Sequence, residues 1–236
     1  DALFACSYDE EAALYDPVRD EGAAEFAARI AAFAADPTSI QLELLGENRV
    51  SLTVSSEYLD YAAENELETL VDFGILRSAF LCDAAADALA ERGYCRGVVS
   101  SLDGYARNLS GEKFGVNLFD RVDGTVTALG SVTYTAPAAL VICRAFPASA
   151  QEKTRFYTYA DGTVVPPYLS ASGLPSAAAP NLVTLSREDS VAALALRTVA
   201  AFAEADAEFP TLTAFSWASV RGGAIATHGM DFQLGQ

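Results

Sequence analysis

Apolar residues recur at helical spacing in some stretches of the chain and alternate in others, which predicts an α+β protein. Phe26, Ile30 and Phe33 fall at i, i+4 and i+7, indicating an amphipathic helix from about Glu21. Asp36-Pro37 stops it, because proline disfavours a helical residue before it. Ile40, Leu42 and Leu44 alternate, Gly46-Glu47-Asn48 turns the chain, and Val50, Leu52 and Val54 alternate again. This predicts a β-hairpin with one buried face. In the next helix Leu81, Ala85, Ala88 and Leu89 share an apolar face, while Asp83, Asp87 and Glu91 occupy another. Gly93 stands where a left-handed cap ends a helix.

Gly97-Val98-Val99-Ser100 then reads as a short buried strand, with Asp103-Gly104 as its turn. Phe114 to Asp120 and Thr125 to Tyr134 form a hairpin across Asp123-Gly124, and Ala138 to Arg144 reads as one more strand. Residues 147–180 are loop-rich, punctuated by Pro166-Pro167, Gly173 and Pro175. A strand from Leu182 to Leu185 follows, and Ser186 and Asp189 are spaced as a capping pair. The helix after them carries Leu194, Leu196, Val199 and Ala203 toward a core and ends before Pro210. Ala214 to Val220, the turn Arg221-Gly222-Gly223 and Ala224 to Thr227 make a last hairpin. No repeat or low-complexity linker divides residues 1–236, so one domain is expected, with two interleaved α+β halves as the alternative.

Composition narrows the function classes. With 236 residues, 51% of them hydrophobic, the chain can bury a substantial core and is not of disordered composition. No apolar run reaches the about 18 residues of a membrane span. A formal net charge of −17 excludes broad phosphate-backbone contact, so no nucleic-acid partner is expected. Cys6, Cys82, Cys95 and Cys143 are scattered without metal or redox spacing. Cys82 in a helical pattern and Cys143 in an apolar run read as small hydrophobes, and a disulfide between distant cysteines stays open.

Candidate chemistry is sparse on the residues alone. His228 is the only histidine and reads as a turn or surface residue. There is no GxSxG, P-loop, GxGxxG or Cys/His cluster. Asp83 and Asp87 at i, i+4 suit either a shared metal or a solvated helix face. Asp103-Gly104 reads first as turn chemistry. Tyr168, Ser170 and Ser172 on the Pro-rich loop are pocket-lining candidates.

The segment Val71–Gly104 also resembles the nucleotide-contacting segment of the ApbE family of flavin transferases. Asp72-Phe73-Gly74 opens a pattern similar to the family's Asp-Leu-Gly-x-x-x-Lys-Gly-x-x-x-Asp, Phe80 fits its aromatic position, and Asp83 closes it in register. Leu89 and Gly93 match the end of the family's helix. Tyr159-Ala160-Asp161-Gly162 resembles the hairpin before the family's Pro-rich loop, and Gly173-Leu174-Pro175 the end of that loop. Leu182 to Leu185, Ala193 to Thr198 and the ending Thr227-His228-Gly229-Met230 follow in the family's order. The resemblance covers roughly Ile40 to the C-terminus and implies an ApbE-like, T-fold-related α+β fold of mixed sheets with packed helices.

It further implies a cleft for FAD and Mg²⁺, with Asp72, Ser78, Asp83, Ser101, Asp103, Tyr168, Ser172 and Thr198 as cofactor-binding candidates. The departures fall on the family's working groups. Ser78 replaces its lysine and Ala79 the next glycine; Leu102-Asp103-Gly104 replaces Gly-Gly-Asp. Pro166 and Leu169 replace a histidine and an aspartate, and Leu194 stands where the metal-binding aspartate belongs. Leucine cannot hold Mg²⁺, on which phosphoryl transfer of this kind relies. The expectation is therefore a degenerate family member, without assigned catalytic or metal-binding residues, that keeps a cleft for a flavin-like small molecule or a partner. The alternatives are an active transferase placing FMN on a Thr or Ser of an acceptor protein through displaced ligands such as Asp83 or Asp103, and an unrelated α+β protein. Leu102, Leu169 and Leu194 are the candidates for filling the cleft. Family members are often exported, and a first residue Asp1 is compatible with a trimmed leader.

Overall fold

A computed structural model describes residues 16–46, 49–67, 69–71, 73–135, 137–204, 209 and 215–234. Cys6, Asp72, the Glu47-Asn48 turn, Pro210 and Ala214 lie outside them. The chain divides into two compact units, one formed by Asp1–Gly74 with Ala171–Leu174 and the other by Ile75–Ser170 with Pro175–Gln236. The protein is α+β, and every strand pairing among the described residues is antiparallel, where mixed sheets were expected. Among the described residues no helix is long and apolar enough to cross a membrane.

The first unit contains α1 (Glu21–Ala35), the hairpin β1 (Ile40–Gly46) and β2 (Arg49–Val54), and α2 (Ser56–Glu64). Asp20 caps α1 by accepting from the Ala23 N–H at 2.7 Å, and Ser55 caps α2 through the Tyr58 N–H. Phe33 packs on Tyr58 and Tyr61, with ring centroids 5.0 and 5.4 Å apart. Gly173 lies so close to α1 that a Cβ there would meet the Ala27 carbonyl oxygen at 2.4 Å. The hairpin forms with Leu42 opposite Leu52, but its expected buried face is open: Leu42, Val50 and Leu52 are 49%, 53% and 41% exposed. Alternation makes one apolar face; it does not supply a layer to cover it.

The second unit is built in three layers. Its central sheet has the order β12 (Ala224–His228), β11 (Ser216–Arg221), β10 (Asn181–Ser186), β7 (Ala138–Arg144), β4 (Tyr105–Asn108), β3 (Val98–Ser100). The helices α3 (Arg77–Glu91) and α4 (Val191–Ala203) cover one face. A second sheet, ordered β13 (Asp231–Leu234), β6 (Thr125–Tyr134), β5 (Phe114–Val122), covers the other. Alternation along β7 and β10 therefore feeds two cores: Ala139, Val141, Cys143 and Leu182 face the helices, while Leu140, Val183 and Leu185 face the second sheet. All six residues of β10 are buried. A small hairpin, β8 (Tyr157–Thr158) and β9 (Val164–Val165), stands apart in the sheet order.

Helix α3 ends as expected, with Gly93 at φ +84° and the Tyr94 N–H donating to the Leu89 carbonyl. It is rotated from the expected orientation. Ala79, Cys82 and Ala86 face the core, whereas Leu81 is 60% exposed. The helix is Ala-rich, so two stripes satisfy the helical period, and the smaller side chains let it lie close to the sheet. In α4 the core face is Val191, Leu194, Ala195, Thr198 and Phe202; Leu196, expected inside, is 62% exposed. Strand β3 is the sheet's edge, and its Val98 is exposed rather than buried. Strands β4 and β13 had no strong alternation to announce them.

Candidate functional site

Of the residues singled out from sequence, Asp83, Tyr168, Leu194 and Thr198 lie on the helical face of the central sheet, and the polar atoms of Asp83 and Thr198 are occupied there. Asp83 projects from α3 to the start of α4, where its two carboxylate oxygens accept from the Val191 and Ala192 N–H groups at 2.8 and 2.9 Å. A carboxylate there satisfies free backbone donors and meets the positive end of the helix dipole. Ser190 completes the cap through the Ala193 N–H. The expected capping pair Ser186 and Asp189 instead closes the preceding turn, with the Ser186 hydroxyl donating to Asp189 at 2.8 Å. Thr198 is fully buried against Thr184, hydroxyl to hydroxyl at 2.7 Å.

Leu194 is wholly inside the core, whereas Leu102 is 71% exposed and so fills no cleft. Leu169 is half-buried and pairs with Pro175 in an isolated bridge. Ser78 is half-buried on α3, Ser172 is exposed in the other unit, and Asp72 lies outside the described residues. The position that the ApbE resemblance would assign to Mg²⁺ carries a buried hydrocarbon, Leu194, while Asp83 serves α4 and Thr198 serves Thr184. This donor set does not fit a divalent cation. Among the described residues no group of three or more His, Cys, Asp and Glu converges in a metal-holding arrangement.

Ser101 and Asp103 shape the turn between β3 and β4. Ser101 accepts from the Tyr105 N–H at 3.2 Å, and Gly104 takes φ +92°. A Cβ at Gly104 would meet the Ile142 carbonyl oxygen at 2.2 Å, so the glycine serves close packing against β7. Beneath this turn sits a polar cluster in the core. Tyr105 donates to the Ile75 carbonyl at 2.7 Å, and Tyr168 accepts from the Arg144 N–H at 3.4 Å. Burial raises the pKa of both phenols, and the neighbouring Cys143 raises it further. Burial also pushes the Cys143 thiol up to about 12. Burial pulls on Arg155 in the opposite sense, but the neighbouring Tyr168 and Asp103 outweigh it and raise the guanidinium pKa. Asp103 Oδ1 is buried without a hydrogen bond. Arg155 carried no sequence signal, since it stands in the loop-rich stretch without a motif.

The other face of the sheet carries a feature that sequence reading overlooked. A cavity of about 370 Å³ opens between β5 and the segment Ala177–Pro180, with Asp120, Arg121, Phe146 and Val164 among its walls. Asp120 is only 6% exposed. Its signal was in the strand pattern: Val116, Leu118 and Asp120 share the inward face of β5. Alternation that places two aliphatic residues inside places the carboxylate there too.

The exposed His228 stacks on Trp217, its partner across β11 and β12, with ring centroids 6.3 Å apart. Cys82 and Cys143 are buried free thiols and Cys95 an exposed one. Comparisons of the chain with protein-family models, with curated proteins and with solved structures find no match.

Proposed function

We propose that the chain is a divergent ApbE-like protein that has lost Mg²⁺-dependent flavin transfer and acts by binding a small molecule or a partner. The observation that carries this reading is the use of Asp83: both of its oxygens are hydrogen-bonded to the first turn of α4. Leu194 and Thr198, on that same helix, are sealed in the core. Developing charge on a transferring phosphoryl group would find no metal ligand there to stabilise it.

A second reading, an active FAD:protein FMN transferase with displaced ligands, draws support from Asp103, whose Oδ1 lacks a hydrogen bond. Incubating the full chain with FAD, Mg²⁺ and an acceptor protein decides between them. The loss-of-transfer reading expects no AMP and no covalent flavin on the acceptor. Stoichiometric AMP with flavin on an acceptor Thr or Ser would overturn it, and Asp103→Asn would then be the variant expected to abolish transfer.

A further inference from the structure

We propose that the cavity beside β5 is a binding site for a small organic molecule bearing an ammonium group, anchored by Asp120. Asp120 is more than nine-tenths buried and lines a cavity of about 370 Å³. Its one hydrogen bond is from the adjacent Arg121 N–H to Oδ1, at 2.8 Å. Among the described residues no protein donor reaches Oδ2 and no ion pair involves Asp120.

The nearby cations are directed elsewhere. The Arg121 guanidinium donates to the Gly124 and Gly162 carbonyls, each at 3.4 Å. Arg144 is paired with Glu152, and Arg221 donates to the Ala178 carbonyl at 3.2 Å. Asp120 is mostly buried yet keeps an oxygen open to the cavity without a protein cation, and a ligand ammonium there would form a charge-assisted hydrogen bond with it.

The remaining walls set the body of the ligand. Arg121 lines the cavity with its guanidinium turned to the Gly124 and Gly162 carbonyls, while Phe146, Val164, Ala177, Ala179 and Pro180 supply apolar walls, which suits a hydrocarbon carrying the ammonium. The net charge of −17 further raises the local concentration of cations and repels anions. This inference is independent of flavin transfer, because it uses neither α3 nor α4.

The test is an NMR titration of the full chain with 2-phenylethylamine, n-hexylamine and the neutral 2-phenylethanol, following the Arg121 and Ala178 amides. The amines are expected to bind saturably, at least about tenfold more tightly than the alcohol. Asp120→Asn should erase that preference, and Val164→Trp, which fills the cavity from its rim, should weaken all three compounds. Amine binding that Asp120→Asn leaves unchanged would overturn the proposal. So would equal affinity for amine and alcohol, or no saturable amine binding. Should Asp120→Asn fail to fold, amine shifts that persist in Val164→Trp overturn the proposal, and their loss supports it. Since none of these compounds is a flavin, failure here leaves the AMP-release experiment unaffected.

Discussion

Asp83 and Asp120 are carboxylates on opposite sides of one sheet, and they meet opposite circumstances. Asp83 finds two backbone donors at the start of α4, the first of them Val191, 108 residues away in sequence, and so joins two helices. Asp120 finds one donor, its own neighbour in the strand, and faces a cavity. The carboxylate that resembled part of a cofactor site is structural. The carboxylate without a motif is the one with an oxygen left for a ligand. The chemistry of an acidic residue is set by the donors that the fold brings to it.

The largest effect is expected from placing a carboxylate at Leu194, the position that the ApbE resemblance would assign to a metal ligand. Leu194→Asp buries a charge among hydrocarbon with no cation, and should cost at least about 4 kcal/mol in urea denaturation. A folded variant that gains stability with Mg²⁺ would show that Asp83 and Thr198 can be drawn into a cation site. Asp83→Ala should cost about 2 kcal/mol and Asp83→Asn about half as much, because the amide keeps one acceptor oxygen but loses the charge facing the helix dipole. Asp120→Asn should change stability by less than about 0.5 kcal/mol, since Asp120 accepts only from its strand neighbour and joins no other element. Equal losses at Asp83 and Asp120 would remove the distinction.

Smaller effects report on the core between the two. The Cys143 thiol titrates at about 12 in the folded state against 9.0 ordinarily, so folding favours its protonated form. Its contribution is fully present below pH 9.0 and is lost as pH rises from there toward about 12. Buried Tyr105 and Tyr168 act in the same direction. Urea midpoints should therefore fall at alkaline pH, less steeply in Cys143→Ala. For the same reason, a thiol reagent in native buffer should label exposed Cys95 well before Cys82 or Cys143. Equal rates would show that the helical face opens readily.

What could be read in the chain were features settled by neighbouring residues. Asp123-Gly124 makes its hairpin turn with φ values of 50° and 79°, which favour Gly and its Asp or Asn companion. Gly93 caps α3, and Asp36-Pro37 ends α1, for reasons contained in a few positions each. Other features were hidden because their cause is remote. Tyr105–Asn108 mixes Arg and Asn with buried residues and becomes a strand by pairing with β7. Ser190, rather than Ser186, caps α4, and Asp83 arrives from another helix to take the Val191 and Ala192 donors that Ser190 leaves free.

The candidate site followed the same division. Period-2 alternation put Asp120 on the inward face with Val116 and Leu118, so its burial was implicit in the sequence. That no cation would meet it depends on where Arg121, Arg144 and Arg221 find other acceptors. By itself the sequence determined the α+β class, the principal helices and hairpins, and the turns that need positive φ, because each follows from local sterics and short-period burial. The tertiary structure alone decided which stripe of α3 faces inward, whether the face of the first hairpin is covered, and which aspartate keeps an oxygen free. Those outcomes depend on donors and surfaces brought together from distant parts of the chain, which a local pattern does not encode.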